Sequence, residues 1–263
     1  MTSVFFLFLL HFAVGLLAAL VFVPERAGDR FFRLCAGAAA TMLTAALWLL
    51  YRRFGTLGGE SAPGGPAYPW ILGLAFLSLL STVCFNRAWR FDWAALRRPT
   101  LAGALAAGVA AMLLLAPSPL FAAADLSSAL LLGAAAAAMI LGHYYLVVLD
   151  LPISALRRLT VLLVVALFCR VLTVGLAFVG PVHAGYEEAR LVATGLWSAD
   201  GVFVWMRLLF GLAGPLSLLW FVWKTVEIRS TQSATGILYV QLFLVLAGEL
   251  LAKYLRVAAG LPL

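Results

Sequence analysis

Three ionisable side chains stand deep inside long apolar runs, where their chemistry has to be accounted for. Arg170 lies near the centre of LTVLLVVALFCRVLTVGLAF, Arg207 lies in GVFVWMRLLFGLAGPLSLLWFVW, and Glu249 in ILYVQLFLVLAGELLAKYLRV. A charge in hydrocarbon costs several kcal/mol, of order ~3 by insertion scales, unless it is paired or faces a wet cavity, so each is a candidate functional group. Glu249 is the one acidic residue expected at that depth, which predicts an Arg170–Glu249 or Arg207–Glu249 pair. Such a pair either fixes helix packing or handles protons. On the last run Glu249, Lys253 and Arg256 recur at i, i+4 and i+7 and share one helix face, a charged stripe from mid-membrane to the surface. His11, in FFLFLLHFAVG, is either a helix–helix hydrogen bond or a donor and proton acceptor for a quinone carbonyl, since imidazole titrates near neutrality. The stretch GHYYLVVLDLP brings His143, Tyr144 and Tyr145 together, with Asp150 and Pro152 at its exit. The tyrosines read as interfacial anchors or, with the histidine, as a ligand- or proton-handling cluster.

The elements that position these groups are transmembrane helices. The chain has 263 residues, 65% hydrophobic and 11% charged, whereas a soluble domain is about 25% charged. A crossing needs about 20 apolar residues. The sequence predicts eight, at 3–23, 33–52, 70–88, 100–117, 127–149, 159–180, 201–223 and 236–258, with the fourth short and ending at Pro117 and Pro119. The expected fold is an all-α polytopic membrane protein, one bundle domain over residues 1–263 or a pair of four-helix bundles. Gly211, Gly214 and Pro215 allow a close neighbour and break the seventh helix. The first run lacks a basic leader and a small-residue cleavage site, so it reads as a retained helix.

Loops after the odd-numbered spans carry eleven Lys and Arg, from Arg26 to Arg229; the other side carries five, Arg52, Arg53, Arg190, Lys253 and Arg256. The positive-inside rule puts the richer side in the cytoplasm and so both termini on the outer face of the membrane. An outer loop, 181–200, holds His183, Glu187, Glu188, Arg190 and Asp200, and could meet a partner subunit.

The net charge of +7 sits in short loops and sets topology, so it does not argue for nucleic acid. Cys35, Cys84 and Cys169 stand singly, with no CxxC pair, so no iron–sulfur cluster or structural zinc held through cysteine is expected. Paired haem ligation needs two histidines at matching depth, and His11 and His143 fall at different depths, so no haem is expected. No HExxH, GxSxG or paired intramembrane aspartates appear, which ranks a membrane-embedded protease or lipid transferase last.

The last two spans resemble the NrfD/DmsC/PsrC-type membrane anchors of bacterial oxidoreductase complexes. The similarity covers about 60 residues: a Trp-rich helix with Gly211 to Pro215 as G-x-x-x-P, and a terminal helix with Gly248, Lys253-Tyr254 and Ala259-Gly260. One more residue separates Gly248 from Lys253 than in the family pattern. The resemblance implies an anchor that binds menaquinol or ubiquinol and exchanges electrons with a peripheral, ferredoxin-like iron–sulfur subunit and a catalytic subunit on the outer face. His11 is similar to the family's first-helix histidine near the quinone pocket, whereas His143, Tyr144, Tyr145 and Arg170 match no family feature. The alternative is a transporter or proton channel lined by Arg170, Arg207 and Glu249, although no internal repeat or second broken helix accompanies it.

Overall fold

A computed structural model describes residues 1–55, 65–146, 148, 151, 153–184 and 201–262, with side chains excepted at 180–184. Asp150, Pro152, Glu187, Glu188, Arg190, Asp200 and the His183 side chain lie outside the described residues.

The described chain is all-helical. Its helices are α1 (Thr2–Leu20), α2 (Asp29–Phe54), α3 (Tyr68–Arg90), α4 (Ala94–Leu115), α5 (Pro119–Tyr144) and α6 (Ser154–Ala184). They are followed by α7 (Gly201–Leu208), a π-helical segment Leu209–Ala213, α8 (Gly214–Glu227) and α9 (Thr231–Ala259). Seven helices are long and apolar enough to cross a membrane, with α7, the π segment and α8 counted as one, where the sequence predicts eight. The one that falls outside is α4, a 22-residue helix whose first two turns carry Arg97, Arg98 and Pro99.

Two boundaries differ from expectation for a local reason. The fifth helix was expected at 127–149 but occupies Pro119–Tyr144. Ser118 caps it by accepting from the Phe121 N–H at 3.5 Å, and Pro119 fills the first position, where no N–H is needed. That earlier start brings Asp125 from an expected loop onto a buried helix. The expected break at Gly211 to Pro215 is a single π turn, in which Pro215 costs no α-helical hydrogen bond because it opens α8.

Helices α1 and α5 form the interior, with 67% and 78% of their spanning windows buried against 33–44% for the others. Both are rich in small residues at the contact. A Cβ on Gly15 would lie 1.7 Å from the Ala129 carbonyl oxygen, and one on Gly133 would lie 1.9 Å from that of Gly15. The two backbones therefore touch, and the contact sits one turn from His11 on α1 and one turn from Asp125 on α5. Around this pair, α2 and α4 pack on α1, α6 packs on α5, and α9 packs on both. α3 and α4 form a hairpin in which the Ser78 hydroxyl donates to the Ala104 carbonyl at 2.8 Å.

Gly15→Val or Gly133→Val forces this backbone contact apart and should lower stability by at least about 1–3 kcal/mol, the usual cost of overpacking. Gly73→Val and Gly175→Val meet nothing within 4 Å and should leave the melting temperature unchanged. Thermal unfolding of the four variants in neutral detergent checks this.

Candidate functional site

Six charged side chains and one histidine gather in a single layer, toward the end of the molecule where α1 begins. Glu249, Arg170 and Arg207 are fully buried, Asp125 and Lys253 are 2% exposed, and His11 is fully buried. The layer has two parts joined through α5 and α9.

The first part is a carboxylate shared by two arginines. Glu249 Oε1 accepts from Arg170 Nε at 2.9 Å and from Arg207 Nη2 at 2.8 Å, and Oε2 accepts from Arg170 Nη2 at 3.0 Å. The Arg170 fork is thus bidentate, the strongest geometry an arginine offers a carboxylate. Its remaining Nη1 donates to the Ala124 carbonyl at 3.1 Å, so one side chain ties α6 to α9 and α5. Ser127 and Thr173 add a hydroxyl contact of 3.1 Å between α5 and α6, one turn further along each helix. The sequence predicts that Glu249 pairs with at least one of the arginines, and it pairs with both.

Arg207 reaches Glu249 because two glycines remove the obstacle. A Cβ on Gly248 would fall 2.1 Å from the Gly211 Cα, and a Cβ on Gly211 would fall 1.8 Å from Arg207 Nη1. The π segment and α9 therefore cross backbone to backbone, with the guanidinium threaded beside them. The wide π turn carries Gly211 toward α9, which is the local reason for the helix irregularity at that point.

The second part centres on Asp125, which sequence reasoning missed. Its Oδ1 accepts from Arg256 and lies 3.7 Å from Lys253 Nζ and 3.8 Å from His11 Nε2. Arg256 also donates to the Leu115 carbonyl at 3.1 Å and lies over the Phe121 ring at 5.2 Å. The signal for Asp125 was present as Ser118-Pro119, a helix start placed well before the apolar run. Lys253, expected near the outer surface, is instead part of the buried layer.

The two parts differ in how fully their polar atoms are used. Both oxygens of Glu249 are satisfied. By contrast both ring nitrogens of His11, Asp125 Oδ2 and Ser128 Oγ are buried without a hydrogen-bond partner. Each such group costs about 1–3 kcal/mol if it stays unmatched. Arg207 Nε and Nη1 are also unmatched, but the glycine crossing packs directly against Nη1. Within the charge layer, the unused hydrogen-bonding capacity that a ligand could satisfy lies at His11 and Asp125; outside the layer, both amide atoms of the buried Gln241 are likewise without a partner.

His143, Tyr144 and Tyr145 do not join this layer. They end α5, 18 residues beyond Asp125, which is about 27 Å along a helix. His143 is exposed, and its Nδ1 lies 3.2 Å from the Tyr239 hydroxyl; Tyr144 packs on Phe31 at 6.3 Å, and Tyr145 is buried. His11 and His143 therefore stand at opposite ends of the bundle and cannot ligate one group between them. Among the described residues, no set of three or more His, Cys, Asp or Glu is grouped to hold a metal ion.

The chain matches no family model, no curated protein and no solved structure. The resemblance to the NrfD/DmsC/PsrC-type anchors therefore rests on the local motifs of the last two helices.

The doubled ion pair has a direct consequence for mutants. Glu249→Leu strands two buried arginines and should cost about 3–5 kcal/mol. Adding Arg170→Leu still leaves Arg207 unpaired, so that double variant should stay destabilised. Only the triple variant with Arg207→Leu should recover most of the loss. Reversible unfolding in detergent distinguishes these outcomes; a double variant as stable as the triple would mean that Arg207 is not held by Glu249.

Proposed function

We propose that this chain is a quinol-interacting membrane subunit in which His11 is the proton acceptor and Asp125 its counter-charge. The observation that supports the reading is a fully buried imidazole with both nitrogens unpartnered, 3.8 Å from a buried carboxylate. A quinol hydroxyl is a ligand such a pair suits. It donates a hydrogen bond to the imidazole acceptor nitrogen, and the quinone that forms accepts one from the ring N–H. Quinol oxidation releases two electrons and two protons. The electrons pass to the iron–sulfur cluster of a peripheral subunit. The protons pass in turn through His11, where the nearby Asp125 charge offsets the imidazolium. Arg256, bonded to Asp125 and near the helix end, marks the short way to the surface. The Glu249 pair has no free oxygen to offer and acts here as the clamp that holds α6, α7 and α9 around the site.

The same reading has α4 cross as an eighth helix. It lies alongside α3 through the Ser78–Ala104 bond, and 22 residues give a length of about 33 Å, enough for the hydrocarbon core of about 30 Å. Both termini then share one face. The burial of Lys253 widens the Lys and Arg asymmetry that puts this face outside, where the electron-carrying partners would dock in a bacterial cytoplasmic membrane.

A transporter or proton path is the second reading, favoured by the unbroken charge layer from Arg207 to Arg256. The layer runs across the bundle, however, rather than through it. Below Glu249 on α9, buried Val245 and Leu242 separate it from Gln241, eight residues away. That is about 12 Å of helix without an ionisable group.

Titration of the purified chain with a short-tailed quinone analogue should show saturable binding. His11→Ala should weaken it about tenfold or more, the equivalent of about 1.4 kcal/mol. His143→Ala should leave it unchanged. Equal affinity of wild type and His11→Ala removes the quinol site from His11.

A further inference from the structure

At the opposite end of the bundle a second feature stands apart from the charge layer. A crevice of about 540 Å³ opens where α1 runs into its loop and is bounded by α2, α3, α4 and the first turn of α6. Its back is apolar and rigid: Phe32 and Trp89 stack at 4.3 Å with their planes 4° apart, and Phe85 closes against both. These three rings are buried, at 3%, 7% and 2% exposure. Its mouth is basic. Arg97 lies over the Trp89 ring at 3.9 Å, is bonded to Asp92, and lies 3.6 Å from Glu25, so its charge is already matched. Arg98 and Arg158 line the same mouth from α4 and α6, are exposed, and make no ion pair among the described residues.

We propose that this crevice binds an anionic phospholipid of the surrounding leaflet, with its phosphate between Arg98 and Arg158. Two unmatched guanidinium groups at one end call for an anion, and a phosphate accepts from both forks. The rest of the crevice calls for a chain. From Arg98 the apolar lining continues along α4 through Leu101 to Leu105, a rise of about 10 Å toward hydrocarbon depth. A soluble peptide or a free anion has no reason to follow that wall, whereas an acyl chain does. The flanking exposed rings, Phe91 and Trp93, have the character of residues at the membrane interface. The site is independent of the quinol reading, since it uses none of the residues of the charge layer.

The test is thermal unfolding of the purified full chain in neutral detergent, titrated with phosphatidylglycerol, phosphatidylcholine or inorganic phosphate. Phosphatidylglycerol should raise the melting temperature saturably, and the other two should not. The Arg98→Gln/Arg158→Gln variant should have an unchanged melting temperature without lipid and an apparent affinity for phosphatidylglycerol lower by about tenfold or more. Arg26→Gln/Arg30→Gln removes the same charge from the same face outside the crevice and should retain the shift. Ala102→Trp fills the crevice while keeping both arginines and should lose it. Equal stabilisation by phosphatidylcholine, an equal loss in the Arg26/Arg30 variant, a full shift with phosphate alone, or a retained shift in Ala102→Trp would each overturn the proposal.

Discussion

A carboxylate placed in hydrocarbon between two arginines constrains everything around it. Glu249 must meet Arg170 and Arg207, because any of the three left alone would be an uncompensated buried charge. Meeting them fixes three helices at one depth. The requirement reaches further, since Arg170 also donates to the Ala124 carbonyl and so sets the height of α5. The π turn and the Gly211–Gly248 crossing follow from the same need: a guanidinium cannot reach Glu249 unless the two backbones close to contact. The ion pair is weak evidence for stability in itself, because desolvation offsets much of its attraction. Its effect is on specificity, in that other registers of α6, α7 and α9 would leave charges unmatched.

With α5 fixed in height, Asp125 comes level with His11 across the Gly15–Gly133 contact. The layer then divides by chemistry. At Glu249 every carboxylate oxygen is used, a condition that suits a fixed structural element. At Asp125 and His11 an oxygen and two ring nitrogens have no partner, a condition that suits a group waiting for a ligand. Four basic side chains, Arg170, Arg207, Lys253 and Arg256, face two acidic ones in the layer. That excess of positive charge favours a ligand that brings electron-rich oxygens.

What the sequence made legible followed from cost. Charges in apolar runs are conspicuous, so Arg170, Arg207 and Glu249 and their pairing could be read directly, as could the helical class and the irregularity near Gly211. Asp125 was hidden because the apolar pattern alone sets a helix start too late; only the Ser118 cap and Pro119 mark it, and those are short-range signals. His143 with two tyrosines looked dense in sequence, yet neighbours at i+1 and i+2 on a helix point to different sides and here share no site. The backbone contact at Gly15 and Gly133 is equally silent in one sequence, because a glycine among alanines shows nothing about which helix lies against it. The fourth apolar segment forms a helix as expected, but it is not among the seven that meet the length and apolarity of a crossing.

The central claim is that His11 waits unbonded in the membrane for a quinone oxygen, and this can be observed at the imidazole itself. The chain has three histidines, so a chain labelled with nitrogen-15 histidine and carrying His143→Gln and His183→Gln reports His11 alone. Solid-state magnetic resonance in lipid should show a neutral ring, and one ring nitrogen should shift on addition of a quinone analogue as it takes up a hydrogen bond. A spectrum that saturating quinone leaves unchanged would contradict the account.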